Sequence, residues 1–292
     1  MAKQMQSRVR HTRDSESAGA VRIIHRVGLH ANTKQRRELE TLGVKLTGGV
    51  ASPNGGDPLM AFDVDENHPN WGSLRSLFQK WRASDMVRTE FTKKEIDSAR
   101  WLEIGAWHNG HPQPDEDAFG YRRATYDLTD WCEQCGIGLK QKAPFQMKGE
   151  PRWGRNAIMQ LVWVYGELFI TPDAWGRAFK PAGVACRPVL NTKGVELKTV
   201  VQLVIEATAR VVTDGLVAER CERCGRLKYL PVTRGMFPAL RDAPATSLAR
   251  TAEYFGSGAQ ADQRVLISQE LVLALASSSA RGASLKPVTE PT

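Results

Sequence analysis

Residues 132–138, CEQCGIG, and residues 221–229, CERCGRLKY, carry one signature: two cysteines two residues apart, with glycine directly after the second. Two intervening residues let both sulfurs of a pair face one tetrahedral ion from a tight turn, and the glycine tolerates the positive φ such turns need. Two turns of this kind supply four soft ligands, Cys132, Cys135, Cys221 and Cys224, a donor set that suits Zn²⁺ or iron. A redox pair is the rival reading. It places CxxC at the start of a helix that follows a strand, whereas CERCGRLKYLP runs through glycine into a strand-like segment. Redox chemistry also gives no reason for a second CxxCG. The expectation is one structural Zn²⁺ shared by all four cysteines, with no coordination position left for a reactive water. Because 85 residues separate Cys135 from Cys221, the site would organise a β-rich, zinc-ribbon-like domain with a long insertion.

The rest of the composition limits the protein class. Of 292 residues, 41% are hydrophobic and 25% charged, the balance of a globular chain. Five cysteines, an odd number with four in CxxC pairs, argue against a disulfide scaffold. Cys186 has no CxxC partner and is expected to be a buried thiol. No apolar run of about 18 residues occurs, and the first twenty residues, MAKQMQSRVRHTRDSESAGA, lack the apolar core of a secretory signal. The expected location is therefore cytoplasmic, with no membrane partner.

The net charge is +8, and residues 132 to 235 hold most of the excess, with 16 Lys and Arg against nine Asp and Glu. A basic face there suits nucleic acid or an acidic protein. Arg223, Arg226 and Lys228, on the second cysteine turn, are the best-placed contacts for an anionic partner. A zinc–tetrathiolate centre carries about −2, which offsets part of that excess.

Along the chain, residues 1 to 20 read as a disordered lead-in. From residue 21 the order is β-α-β-β-α-β. VRIIHRVGLHA, VKLTG, LMAFDVDE and DMVRTEFT are the strands, and NTKQRRELETLG, with Asn32 as cap, and NWGSLRSLFQKWRA are the helices. That is the ferredoxin-like arrangement. The expected organisation is α+β: an N-terminal domain over 21–105, a connector over 106–120, and the cysteine domain over 121–292. Within the last, AIMQLVWVYGELFIT reads as a buried strand pair and VELKTVVQLVIEA as a half-buried strand. RVLIS, QELVLALASSSARG and ASLKPV follow as strand, helix and strand.

The arrangement resembles the double-CXXCG motif proteins, a bacterial family typical of myxobacterial genomes. The resemblance is carried by the two CxxCG turns and by QKAPFQMKGEPRWG, ELKTVVQL, CGRLKYLP and FGSGA, over roughly residues 121 to 288. Some members look like immunity proteins that bind and neutralise a cognate toxin, so the resemblance implies a protein partner.

Other constellations are weaker. His108 and His111 have HxxH spacing in a loop-like stretch with no helix to fix them. Asp63, Asp65, Glu66 and His68 end a strand as divalent-cation sites do, without the further acids such sites need. Gly256, Gly258 and Ala261 imitate G-x-G-x-x-A, but the preceding ATSLARTAEYF reads as a helix, so the strand-turn-helix context is missing. No GxSxG, Walker loop or HExxH occurs. All eight tryptophans fall between Trp71 and Trp175, some as core residues and some available for stacking. The chain is expected to be a non-enzymatic structural-zinc protein that binds a partner protein. A zinc-ribbon nucleic-acid binder using residues 132–235 is the alternative, and an enzyme centred on Asp63 is a distant third.

Overall fold

The computed structural model describes residues 21–52, 55–114 and 120–290; the lead-in expected at 1 to 20 lies outside them. The chain is α+β and divides into two units between Thr92 and Lys93.

In the first unit, alternating apolar side chains make β1 (Arg22–His30) a central strand. Helix α1 (Thr33–Thr41) starts from a reciprocal cap: the Gln35 amide donates to Asn32 Oδ1 and the Asn32 amide donates to Gln35 Oε1, each at 3.0 Å. Strand β2 (Leu59–Asp65), helix α2 (Trp71–Lys80) and strand β3 (Ser84–Glu90) complete an antiparallel sheet in the order β2-β1-β3. Val27, Leu29, Met60, Phe62 and Val64 pack against Leu39 of α1 and against Leu74 and Phe78 of α2. The four-stranded βαββαβ order expected from sequence is not formed. VKLTG makes no strand; Gly48 and Gly49 end the apolar run, and only an isolated bridge, Val50 to Leu59, reaches the sheet. Val44 is nevertheless buried in the same core, so its apolar signal reports packing without pairing.

The second unit begins with α3 (Lys93–Ser98) and β4 (Trp101–Asn109). The expected boundary at 105/106 falls inside β4, whose Leu102, Ile104 and Ala106 are buried together. Residues 110–114 after Asn109 form neither helix nor strand and belong to this unit, not to the join between the two. Then come α4 (Gly120–Thr125), β5 (Tyr126–Asp127), β6 (Lys140–Gln141), β7 (Gln146–Met147), β8 (Ile158–Leu161) and β9 (Val164–Ile170). A helical turn, α5 (Pro172–Ala174), widens into a π turn over Trp175–Phe179. Strands β10 (Cys186–Asn191), β11 (Glu196–Leu203), β12 (Thr208–Ala209), β13 (Ala218–Arg220), β14 (Leu227–Tyr229), β15 (Leu248–Phe255) and β16 (Asp262–Ser268) follow. Helix α6 (Gln269–Ser277) and β17 (Ala283–Pro287) end the order.

Apart from β5 and β6, which pair with each other, these strands form a sheet ordered β13-β14-β15-β16-β4-β8-β9-β11-β10-β7, with β12 on β15 and β17 on β4. Strand β4 is the hinge line of the sheet. Its first half pairs antiparallel with β16 and β17, and Trp107–Asn109 pair parallel with β8. The expected strand pair over AIMQLVWVYGELFIT is the β8–β9 hairpin. VELKTVVQL is a strand but is not simply half-buried: Val200 and Gln202 are as buried as Leu203, because β11 lies between β9 and β10. ATSLARTAEYF, expected as a helix, contains β15. Alanine, leucine and arginine favour a helix locally, but pairing with β16 and the burial of Leu248, Ala249 and Thr251 override that preference.

Candidate metal centre

Each cysteine pair sits in the turn of a short antiparallel ribbon, β5–β6 for the first and β13–β14 for the second. The two turns share one backbone pattern. The Cys132 amide donates to Ile137 O at 2.9 Å and the Gly136 amide to Cys132 O at 2.8 Å. The Cys221 amide donates to Arg226 O at 2.9 Å and the Gly225 amide to Cys221 O at 2.8 Å. Both glycines have positive φ, +83° at Gly136 and +70° at Gly225.

The ribbons bring all four sulfurs to within 4.8 Å of one another. Cys132 Sγ lies 3.8 Å from Cys221 Sγ, and Cys135 Sγ lies 3.7 Å from Cys224 Sγ. A regular tetrahedron with metal–sulfur bonds of about 2.3 Å has edges of about 3.8 Å, so the spacing suits one zinc-sized ion. It does not suit disulfides, which need sulfurs about 2.05 Å apart, and all five cysteines are free thiols. These two contacts each join a cysteine of one pair to a cysteine of the other. Neither pair opens a helix, which removes the geometry of a redox CxxC.

Electrostatics favours anionic sulfur at Cys132 and Cys224 and resists it at Cys135. Hydrogen bonds from the Cys135 and Gln134 amides lower the pKa of Cys132. Arg226 Nε donates to Cys224 Sγ at 3.3 Å and, with its own amide, brings that thiol down to about 6. Burial pushes Cys135 up to about 12; a divalent cation is the group that would hold this sulfur as thiolate.

The basic residues expected to meet an anionic partner are placed differently. Lys228 is buried, and its ammonium donates to the carbonyls of Cys135 and Gln260, each at 3.3 Å, and of Gly258. It is a fastener between the first cysteine turn and the 256–261 loop, not an outer contact. Arg226 is engaged with the Cys224 sulfur, and Arg223 pairs with Glu133 across the two turns. Lys228→Met is expected to leave those carbonyls unmatched, lowering stability by about 3 kcal/mol. Hydrogen exchange should speed up in the 256–261 loop; unchanged protection there would contradict the fastening role.

The loop FGSGAQA, dismissed in sequence as a false dinucleotide motif, therefore belongs to the centre. A Cβ on Gly136 would lie 2.6 Å from Ala259 O and 2.7 Å from Ala261 N, whereas one on Gly225 would meet nothing within 4 Å. Gly136→Ala should cost about 3 kcal/mol, from both positive φ and overlap with fixed backbone, and Gly225→Ala only about 1 kcal/mol. Urea midpoints of the two variants test the difference; equal losses would show that the contact does not matter.

The other expected candidates do not converge. Asp63 is bound by Arg26 and Arg88, Asp65 by Arg22, and Glu66 by Nε2 of His25. Arginine pairing lowers the pKa of Asp63 and leaves no acidic pocket for a dication. His108 packs edge-on against Tyr165, with ring centroids 5.9 Å apart. His111 has its Nε2 buried without a partner among the described residues, and burial lowers its pKa. Cys186 is half-buried rather than buried. Among the described residues the four cysteines are the one cluster of metal-ligating groups. No helix there is long and apolar enough to cross a membrane. No protein-family model, no curated protein and no solved structure matches the chain.

Proposed function

We infer that the second unit is a metal-stabilised binding module: one structural Zn²⁺ on Cys132, Cys135, Cys221 and Cys224 fixes the shape of a surface that engages a partner protein. The observation that carries the metal reading is the pair of cross-turn sulfur distances, 3.7 and 3.8 Å. Four thiolates complete the coordination of such an ion, so its contribution is to folding and not to turnover. In this reading the paired turns form a zinc-ribbon-like centre, and the long segment between them, β7 to β12, is the insertion.

Partner binding is supported by what surrounds the centre. Val162 and Tyr165 are exposed large side chains on the β8–β9 hairpin, with His108 packed on the tyrosine; exposed tyrosine is typical of protein contact surfaces. The resemblance to double-CXXCG proteins points further, to neutralisation of a cognate toxin by steric occlusion. The basic segment supports nucleic acid less well, because Lys228 is buried and Arg223, Arg177 and Lys140 are paired with Glu133, Asp173 and Asp130.

Mixing the purified chain with the product of the adjacent gene tests the reading directly. A stable complex by size-exclusion chromatography is expected, together with the loss of that product's toxicity on co-expression. Retardation of DNA or RNA with affinity falling steeply as salt rises, and no such complex, would replace it with the nucleic-acid reading.

A further inference from the structure

Two cavities open on the inner side of the first cysteine turn, of about 270 and 640 Å³, and share Tyr126, Leu139, Tyr165 and Asp262 as common walls. The charges around this junction are unequal. Glu167 is compensated: Arg250 Nη2 and Gln202 Nε2 each donate to its Oε2 at 2.8 Å. Asp262, at the start of β16, accepts only from the neutral side-chain amide of Gln260 at 3.0 Å, and no cation lies within 4.0 Å of it among the described residues. Arg250 and Arg264 act on it from farther away, and each faces another acid, Glu167 and Glu103.

A carboxylate held this way is costly to the fold. Burial, first of all, raises the pKa of Asp262. Around it stand tyrosine rings, whose negative faces attract cations. Tyr121 and Tyr126 have raised pKa values, chiefly from burial and in part from Asp262, and both line the larger cavity with it. The outer end of the larger cavity already contains a guanidinium, Arg122, over Trp131 at 5.2 Å and Tyr121 at 6.0 Å. On the side toward Tyr126 and Tyr165 the smaller cavity also has Arg187 and Arg250 in its wall, but Arg250 is held by Glu167 and, among the described residues, neither pairs with Asp262 within 4.0 Å.

We propose that this junction is a binding site for an organic cation, a primary ammonium or guanidinium group, with Asp262 as counter-ion and Tyr126 and Tyr165 as its walls. An acid with no cation within 4.0 Å among the described residues, half-buried in the shared wall of two open cavities beside Tyr126 and Tyr165, is complementary to that chemistry. The group is carried either by a free small amine or by a lysine or arginine side chain of a protein. The inference depends neither on the metal nor on the partner assigned above.

Titration calorimetry of the full chain with agmatine and with butylammonium tests it, n-butylurea serving as the neutral control and blocked Gly-Arg-Gly and Gly-Lys-Gly as side-chain probes. Saturable binding of at least one cation is expected, with n-butylurea weaker by about tenfold or more and Asp262→Asn weaker by a similar factor. Binding of a blocked peptide would assign the site to protein side chains, and binding of the amines alone to small molecules; either supports it. Asp262→Asn should also raise the urea midpoint. The sign follows from the raised pKa: ionising the folded state costs stability as pH climbs past the ordinary carboxyl range, so the gain is absent below that range and grows until pH passes the raised value. No saturable binding by any cation, equal binding in Asp262→Asn, or a lowered midpoint in that variant would overturn the assignment.

Discussion

Cys221→Ser is expected to abolish metal binding and to lower the stability of the second unit by on the order of 5 kcal/mol or more. The wild-type chain, purified without chelator, should contain about one zinc per chain. The reason lies in how little else joins the two cysteine ribbons. Strands β5 and β6 pair only with each other, forming a separate two-stranded sheet, and β13 occupies the end of the large one. Without the ion, Cys135 would be a buried thiol facing three other sulfurs, and among the described residues the turns would be bridged chiefly by Lys228, the 256–261 loop and the Arg223–Glu133 pair. Exposed pairs of the Arg223 kind contribute at most about 1 kcal/mol. Cys186→Ser serves as the control and should change stability by less than about 1 kcal/mol. Elemental analysis and Co²⁺ absorption read the site directly, and thermal unfolding with and without chelator reads the energy. A folded, metal-free wild-type chain whose midpoint ignores chelator would remove the metal from the account.

Arg250→Leu carries the second large effect, a loss of about 3–5 kcal/mol. Arg250 donates to Glu167 Oε2 at 2.8 Å, to Gly166 O at 2.6 Å and to Ile205 O at 3.4 Å, so one guanidinium ties β15 to β9 and to the chain leaving β11. Its side chain is 15% exposed and that of Glu167 is 11% exposed, too little water to hydrate a charge left alone. Gln202 extends the network, exchanging side-chain amide bonds with Gln141 on β6. Removing one ion strands the other. Glu167→Leu with Arg250→Leu should therefore recover much of the loss, since a buried pair gains little over apolar residues of similar volume. Urea denaturation of the two single variants and the double variant tests this; a double variant no better than Arg250→Leu would show that the backbone carbonyls, not Glu167, set the cost.

The twin CxxCG stretches were legible as one site because their chemistry is written locally, in residue type and spacing. The helix after Asn32 was legible through its cap, the β8–β9 hairpin through a continuous apolar run without a clear period, and the β16-α6-β17 ending through its alternating apolar segments. What failed was decided by distant neighbours. VKLTG has the apolar content of a strand, but Val44 inserts into the core and the chain then meets two glycines. ATSLARTAEYF has helix-forming residues, yet its partners are strands formed elsewhere. Lys228 looked like a surface charge because a lone lysine is usually solvated; only three-dimensional proximity reveals three carbonyls waiting for an ammonium. Asp262 gave no local signal at all, its character arising from the cation it lacks.

Strand β4 also bears on how the chain reaches this state. Its nine residues find their partners at 158–161, at 262–268 and at 283–287, so every pairing that completes it spans a large part of the chain. Such long-range closure makes for slow folding, and during synthesis β4 lacks its antiparallel partners until residues near Pro287 have emerged. The 21–92 unit, whose strands pair only among themselves, needs nothing downstream and folds first. The interval in which β4 is synthesised but not yet fully paired is the one in which this protein is most exposed to aggregation.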